Sequence, residues 1–219
     1  MWTLNLDQRP TALIEIAYGD VRFNRFLGVV ANSMSWDVVA AAQNMTVNLL
    51  GAQEVLPRPG SIFDASYTEF QKTRACAKGG HVFETGGSGD PLGEIAGATV
   101  NITNDFEPQM LADNLEGPGC YLLGQPAITG ELRALFANDK AADKARAHDT
   151  VPLTLASRNA DDSASLTLTL PETELSEPKQ TIESSRGITH TMNWRAFTTP
   201  GENAPSITLS NSVATYAVA

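Results

Sequence analysis

Positive charge is the scarcest feature of this sequence: 15 Lys and Arg stand against 25 Asp and Glu, leaving a formal charge of −10 and a pI near 4.7. A surface of that sign argues against a protein that grips nucleic acid by neutralising phosphates. Long apolar runs are also missing. Nothing approaches the roughly 18 residues of a membrane span, and the N-terminal stretch lacks a basic start followed by an apolar block. A soluble chain without an export signal is therefore expected. Cysteine occurs only as Cys76 and Cys120, in unrelated contexts. That fits free thiols in a reducing compartment better than a disulfide framework, with a single disulfide left open.

The residue patterns of reaction centres are equally thin. His81, His148 and His190 lie far apart, and none has a second His or Cys at metal-ligand spacing. They read as surface histidines. The loop Gly86, Gly87, Ser88, Gly89 lacks the Lys of a phosphate loop, and Asp90 stands where a nucleophile elbow needs its last Gly. It reads as a linker. Asp161 and Asp162 are adjacent in a turn and point apart, whereas glycoside hydrolysis needs two carboxyls facing across a substrate. The acceptor patterns at Asn44 (NMT) and Asn101 (NIT) have no consequence without export. No catalytic, cofactor or metal residue is expected, and the chain is expected not to be an enzyme.

What the sequence has is strand pattern. A chain of 219 residues with 42% hydrophobic content can bury a core, and a single domain over residues 1–219 is expected. In SASLTLTLP, Leu166, Leu168 and Leu170 alternate with Ser165, Thr167 and Thr169, the period of a half-buried strand. The turn before it, Arg158 to Ser163, is rich in short side chains that bond their own backbone. A polar helix over Asp139 to His148 offers only alanines as an apolar face, enough to lie on a sheet but not to anchor a helical core. Strands are predicted at Trp2 to Leu6 and Thr99 to Thr103, and Thr11 to Tyr18 fits helix and strand alike.

Two further segments look like hairpins. The arms Leu27 to Val39 and Asn44 to Leu56 both alternate, and RGITHTMNWRAF followed by PSITLSNSV looks like a second copy, with TMNW echoing SMSW. Pro200 and Pro205 break the connection between its arms. Residues 56–97 read as an irregular excursion, and the stretch from Asn104 to Gly124 as an acidic polar linker. The fold class is mainly β, an antiparallel sandwich or barrel-like sheet with one short flanking helix. Trp36 and Trp194 could stack on a sugar, but alternation within strands favours the core.

The order of these segments carries a resemblance. RFNRFLGVVANSMSWDV, MTVNLLGAQEV, a Gly-rich loop, ATVNITNDFEPQML, ITGELRALFANDKAADKARA, SLTLTLPETELSEP and RGITHTMNWRAF together resemble the tail tube protein (major tail protein) of long-tailed bacteriophages, from about Arg22 onward. Relatives are commonly longer at the N-terminal end, so the chain is expected to be a shorter version or a fragment. The resemblance implies hexameric rings stacked into a hollow tube in the virion tail, with the protein in the host cytoplasm before assembly. It implies as partners other copies, the tape measure, terminator and distal tail proteins, and DNA that passes through the lumen without specific binding. No membrane or cofactor is implied. An acidic lumen would repel phosphates and let a duplex slide.

Rings of this type leave strand edges to be completed by neighbours. The C-terminal strand, with Ser206, Ile207, Thr208, Leu209, Val213 and Tyr216, lacks edge-blocking charge and is the candidate intersubunit element. Arg58, Phe63, Tyr67, Phe70 and Lys72 belong to the candidate arm toward the next ring. The alternative is a carbohydrate-binding β-sandwich module of a virion or bacterial surface, using Trp36 and Trp194. A β-sandwich hydrolase is a weaker third reading, because triad and metal ligands are missing.

Overall fold

The computed structural model describes residues 2–3, 11–18, 22–39, 43–58, 75–84, 94–110, 112, 117–135, 140–159, 161, 163–184, 187–197 and 204–211. In chain order the strands are β1 (Trp2–Thr3), β2 (Ala12–Tyr18), β3 (Arg22–Val39), β4 (Met45–Leu50), β5 (Gln53–Arg58), β6 (Ala75–Glu84), β7 (Ile95–Thr103), β8 (Phe106–Gln109), β9 (Cys120–Leu123) and β10 (Ala127–Leu135). The helix α1 (Lys140–Ala147) follows, then β11 (Leu153–Asn159), β12 (Ser165–Leu170), β13 (Glu172–Leu175), β14 (Lys179–Ser184), β15 (Gly187–Phe197) and β16 (Ser206–Ser210). Two antiparallel sheets face each other as a sandwich and do not close into a barrel.

One sheet has five strands in the order β1-β16-β12-β11-β6, and the other has nine, running from β13 through β15, β10, β7 and β3 to β2. Between them lies the core, in which Leu132, Leu153, Leu155, Leu168, Leu170, Val38, Val100 and Met192 are all but sealed from solvent. Each such side chain contributes about 1.5–3 kcal/mol of burial. Leucine alternation places Leu168 and Leu170 of β12 inward, as the SLTLTL pattern requires, while Leu166 is only half-buried at the rim. Helix α1 turns Ala141, Ala142 and Ala145 onto the sandwich. It ends where His148 enters the left-handed region (φ 55°), a common way for a helix to stop. Lys144 Nζ reaches Glu84 Oε1 of β6 at 2.6 Å and ties the helix to the five-stranded sheet.

Strand β3 organises the larger sheet. Its 18 residues span about 60 Å at ~3.3 Å per residue, well past the sandwich. The C-terminal half pairs with β7 on one side and β4 on the other, and the N-terminal half pairs with β2 and β5. The registers of β4 and β5 run on from one another, so residues 45–58 form one line antiparallel to β3. At its step Gly28 adopts φ +60°, and a Cβ there would lie 2.9 Å from the Ala52 Cβ. Only glycine tolerates both conditions. A bulge at Asn32 marks where β3 enters the sandwich; its Oδ1 accepts the Phe106 amide at 2.8 Å and its carbonyl accepts the Asn104 amide. The three-stranded ribbon of β2, β5 and the first half of β3 contributes nothing to the core cluster among the described residues. It is held by its ladder, by burial of Val29 and Val30 at its inner end, and by Arg25, 2.8 Å from Glu15 of the facing strand.

The ambiguous segment Thr11 to Tyr18 is thus a strand. Of the N-terminal strand, Trp2–Thr3 is described and Leu4 to Leu6 lie outside the described residues. Four expectations are corrected. The supposed second hairpin does not exist: β15 belongs to the nine-stranded sheet, whereas β16 crosses to the five-stranded sheet between β1 and β12. Pro205 precedes β16, and the strand after it finds a different partner. The stretch 56–97 is not uniformly irregular, since β6 is built into the five-stranded sheet beside β11 and β7 begins at Ile95. The polar linker contains the ribbon β8–β9, held by an edge-to-face contact of Phe106 and Tyr121 at 6.3 Å. Burial of Tyr121 pushes its phenol pKa up. Finally, His190 is buried rather than on the surface, because β15 alternates it inward with Met192 and Trp194; His81 and His148 are exposed.

Candidate assembly surfaces

The outer face of the nine-stranded sheet follows from strand parity. With Met34, Trp36 and Val38 turned inward, Ser33, Ser35 and Asp37 turn outward. Register then fixes rows across the sheet: Asp37, Thr99, Glu131, Asn193 in one, and Ser35, Asn101, Thr129, Arg195, Glu174 in the next. A third row holds Gly97, Arg133, Thr191 and Lys179. The face is therefore built of hydroxyls and amides with interleaved charges. Part of it is a hollow of about 640 Å³ whose lining includes Glu131, Glu174, Glu177 and Arg195. Arg195 also lies 5.8 Å over the Phe197 ring.

The floor of that hollow is thin at one point. Gly130 stands opposite Trp194 in the β10–β15 ladder, and the indole occupies the space a Cβ at position 130 would need. Trp194 and Trp36 are 2% and 4% exposed, both on the core side of this sheet, on strands that flank the central β7–β10 pair. The Met-x-Trp echo thus marks two related core positions. Neither indole presents a face to solvent, so the sugar-stacking platforms of the carbohydrate-binding reading are not available. The indole N–H of Trp194 has no hydrogen-bond partner among the described residues.

The second surface is the pair of lips where the sandwich stays open. On one lip, β4 presents Met45, Val47 and Leu49 on the side that faces the core farther along the sheet, yet they are 44%, 44% and 48% exposed. On the other lip is β16. Ser206 and Ile207 lie opposite Thr3 and Trp2 of β1, whereas Thr208 and Leu209 pair only with β12 among the described residues. Leu209 is half exposed. Between the lips Met34, Trp36, Met45, Leu166, Leu168 and Ile207 line a cavity of about 200 Å³. Gln43 stitches one end, accepting from the Ser157 hydroxyl and donating to the Val38 carbonyl at 2.7 Å.

The other expected residues fall as follows. Val213 and Tyr216 of the C-terminal strand lie outside the described residues, as do Phe63, Tyr67, Phe70 and Lys72 of the candidate arm; Arg58 is the last residue of β5. Gly86 to Asp90 and Asp162 are also outside them. Asp161 is exposed and accepts from the Ser163 hydroxyl at 2.9 Å, a turn contact that holds its carboxyl below the usual range. Cys120 is a free, exposed thiol. Among the described residues no group of three or more His, Cys, Asp or Glu is placed to hold a metal ion, and no helix is long and apolar enough to cross a membrane. The β4 stripe was missed in sequence because alternation of Met45, Val47 and Leu49 reads as a buried face; the available signal was that MTVNLL carries no charge.

Two sheets with open lips, a broad polar face and a ribbon on the long strand β3 are what the described residues offer to a partner. The chain belongs to the phage tail tube protein family, whose sequence profile matches residues 3–196. Among curated proteins none matches it. Membership places the protein in the virion tail, in a family that assembles with itself and with other tail proteins.

Proposed function

We propose that six copies of this chain close a ring, that rings stack into a hollow tail tube, and that DNA passes through the bore during ejection. The observation that carries this reading is the family match across residues 3–196. Its physical support is the outer face of the nine-stranded sheet. That face is broad and polar, and we assign it to the bore.

A duplex sliding along it would meet hydroxyls and amides of Ser33, Ser35, Thr99, Asn101 and Thr129, which cannot neutralise phosphates. At the hollow, Glu131, Glu174 and Glu177 outnumber Arg195 and make an acidic patch that repels the backbone. Arg133 and Lys179 offset it one row away. The bore is acidic at this patch rather than throughout. The arm toward the next ring grows from β5, where Arg58 ends the ribbon of β2, β3 and β5. The tape measure, terminator and distal tail proteins are the partners at the tube's core and ends. The chain folds in the host cytoplasm before it is built into the tail.

Negative-stain electron microscopy of the purified protein at rising concentration tests the reading. Rings or tubes with an open centre are expected, and a protein that stays monomeric at high concentration would overturn it.

A further inference from the structure

We propose that the open lip at β4 is covered by a free strand edge of a second copy of this chain, with Met45, Val47 and Leu49 at the centre of the contact. This rests on the tube-subunit reading and names the surface that reading leaves open. Three observations converge on it. The residues 45–58 form the outermost line on their side of β3, and among the described residues β4 pairs with β3 alone. Among the described residues the outer backbone groups of β4 have no strand partner, which leaves an edge where another strand can add. Edge strands of monomers usually carry a Lys, a Pro or a strong bulge against such pairing, yet MTVNLL has no charge and no proline.

The third observation is the apolar stripe. Met45, Val47, Leu49 and Leu209 are each close to half exposed and together bare on the order of 300 Å² of apolar surface, a patch size that on soluble proteins marks contact sites. A stable interface takes about 800 Å² per partner. The stripe therefore fits the apolar centre of an interface, with Asn44 at its polar border. A strand edge is the occupant that satisfies both the backbone row and the stripe, since it brings amides and carbonyls at β spacing and side chains on alternate positions. The family assembles with itself, so a copy of this chain brings such an edge at high local concentration. A head-to-tail contact of this kind joins different surfaces on the two copies, as ring closure requires.

Val47→Asp and Leu49→Asp test it, with Asn48→Asp on the opposite face of the same strand as control. The two apolar positions are exposed, so the folded monomer should survive with an unchanged circular dichroism spectrum. The concentration at which sedimentation shows half-assembly should rise at least tenfold for Val47→Asp and Leu49→Asp and by less than threefold for the control. Hydrogen exchange on the unmodified protein gives a readout that does not depend on the variants folding: those amides of Met45 to Leu50 that point away from β3 should slow at least tenfold on assembly. Unchanged assembly by both variants, or β4 amides that exchange equally fast in assembled and unassembled protein, would overturn the proposal while the tube reading stands. Failure of the unmodified protein to assemble at all would instead overturn the tube reading.

Discussion

Replacing Gly130 by Ala should loosen the sandwich from its centre. Gly130 lies on β10 between β7 and β15, and a Cβ there would point to the core side, closer than 3.0 Å to the Thr99 carbonyl oxygen and to Cζ2 and Cε2 of Trp194. Real Cβ atoms do not sit that close, so one of the two neighbours must move. The indole is 2% exposed and packed in the core cluster, and the carbonyl belongs to a central ladder. Overpacking of this kind costs about 1–3 kcal/mol, and displacement of the Thr99 carbonyl weakens a ladder bond worth about 1 kcal/mol. The sum, about 2–4 kcal/mol, lowers the melting temperature of a chain this size by roughly 5–15 °C. Guanidinium titration of the unassembled protein by far-ultraviolet circular dichroism measures it.

A double-mutant cycle with Trp194→Leu separates the two neighbours. Removing the ring costs stability by itself, but it opens the space the new methyl needs. The double variant should therefore be more stable than the sum of the singles by about 1 kcal/mol. A Gly130→Ala protein within about 0.5 kcal/mol of the unmodified one, or strict additivity in the cycle, would refute the claim that the indole fills the glycine's place.

Two smaller predictions follow from buried and exposed hydrogen bonds. Thr173 is fully buried and its hydroxyl donates to the Val151 carbonyl, which also accepts the Thr173 amide at 3.0 Å. Thr173→Val should cost about 1 kcal/mol in the same titration, and no loss would mean that the hydroxyl contributes nothing. At the β11–β12 turn, the Ser163 side-chain hydroxyl and amide hold the Asp161 carboxyl below the usual range. Because the folded value is the depressed one, its stabilisation is present above the unfolded carboxylate pKa and is lost as pH falls through the folded pKa. Carbon-detected NMR titration should show Asp161 titrating below an unstructured Asp, and Ser163→Ala should bring it back up.

Much of the fold was written in local pattern. The Leu166–Leu168–Leu170 alternation, the alanine face of residues 139–148 and the long alternating arm through Trp36 each specify an element and its inward side, because side-chain period is a local property of the chain. The order of the segments already pointed to the tail tube family. The pairing of β3 with β4 was legible as a hairpin, but the pairings between strands far apart in the chain were not. Ile207 and Leu209 follow β15 as Val47 and Leu49 follow β3, yet β16 joins β12 in the five-stranded sheet instead of β15, a choice made by long-range packing that no local signal encodes. Nor could the sequence separate a buried alternating face from an exposed one. Met45, Val47 and Leu49 have the same pattern as the core strands, yet in the folded chain they stay close to half exposed. Gly130 reads as a break in a strand, and its purpose appears only when β15 lays Trp194 across it.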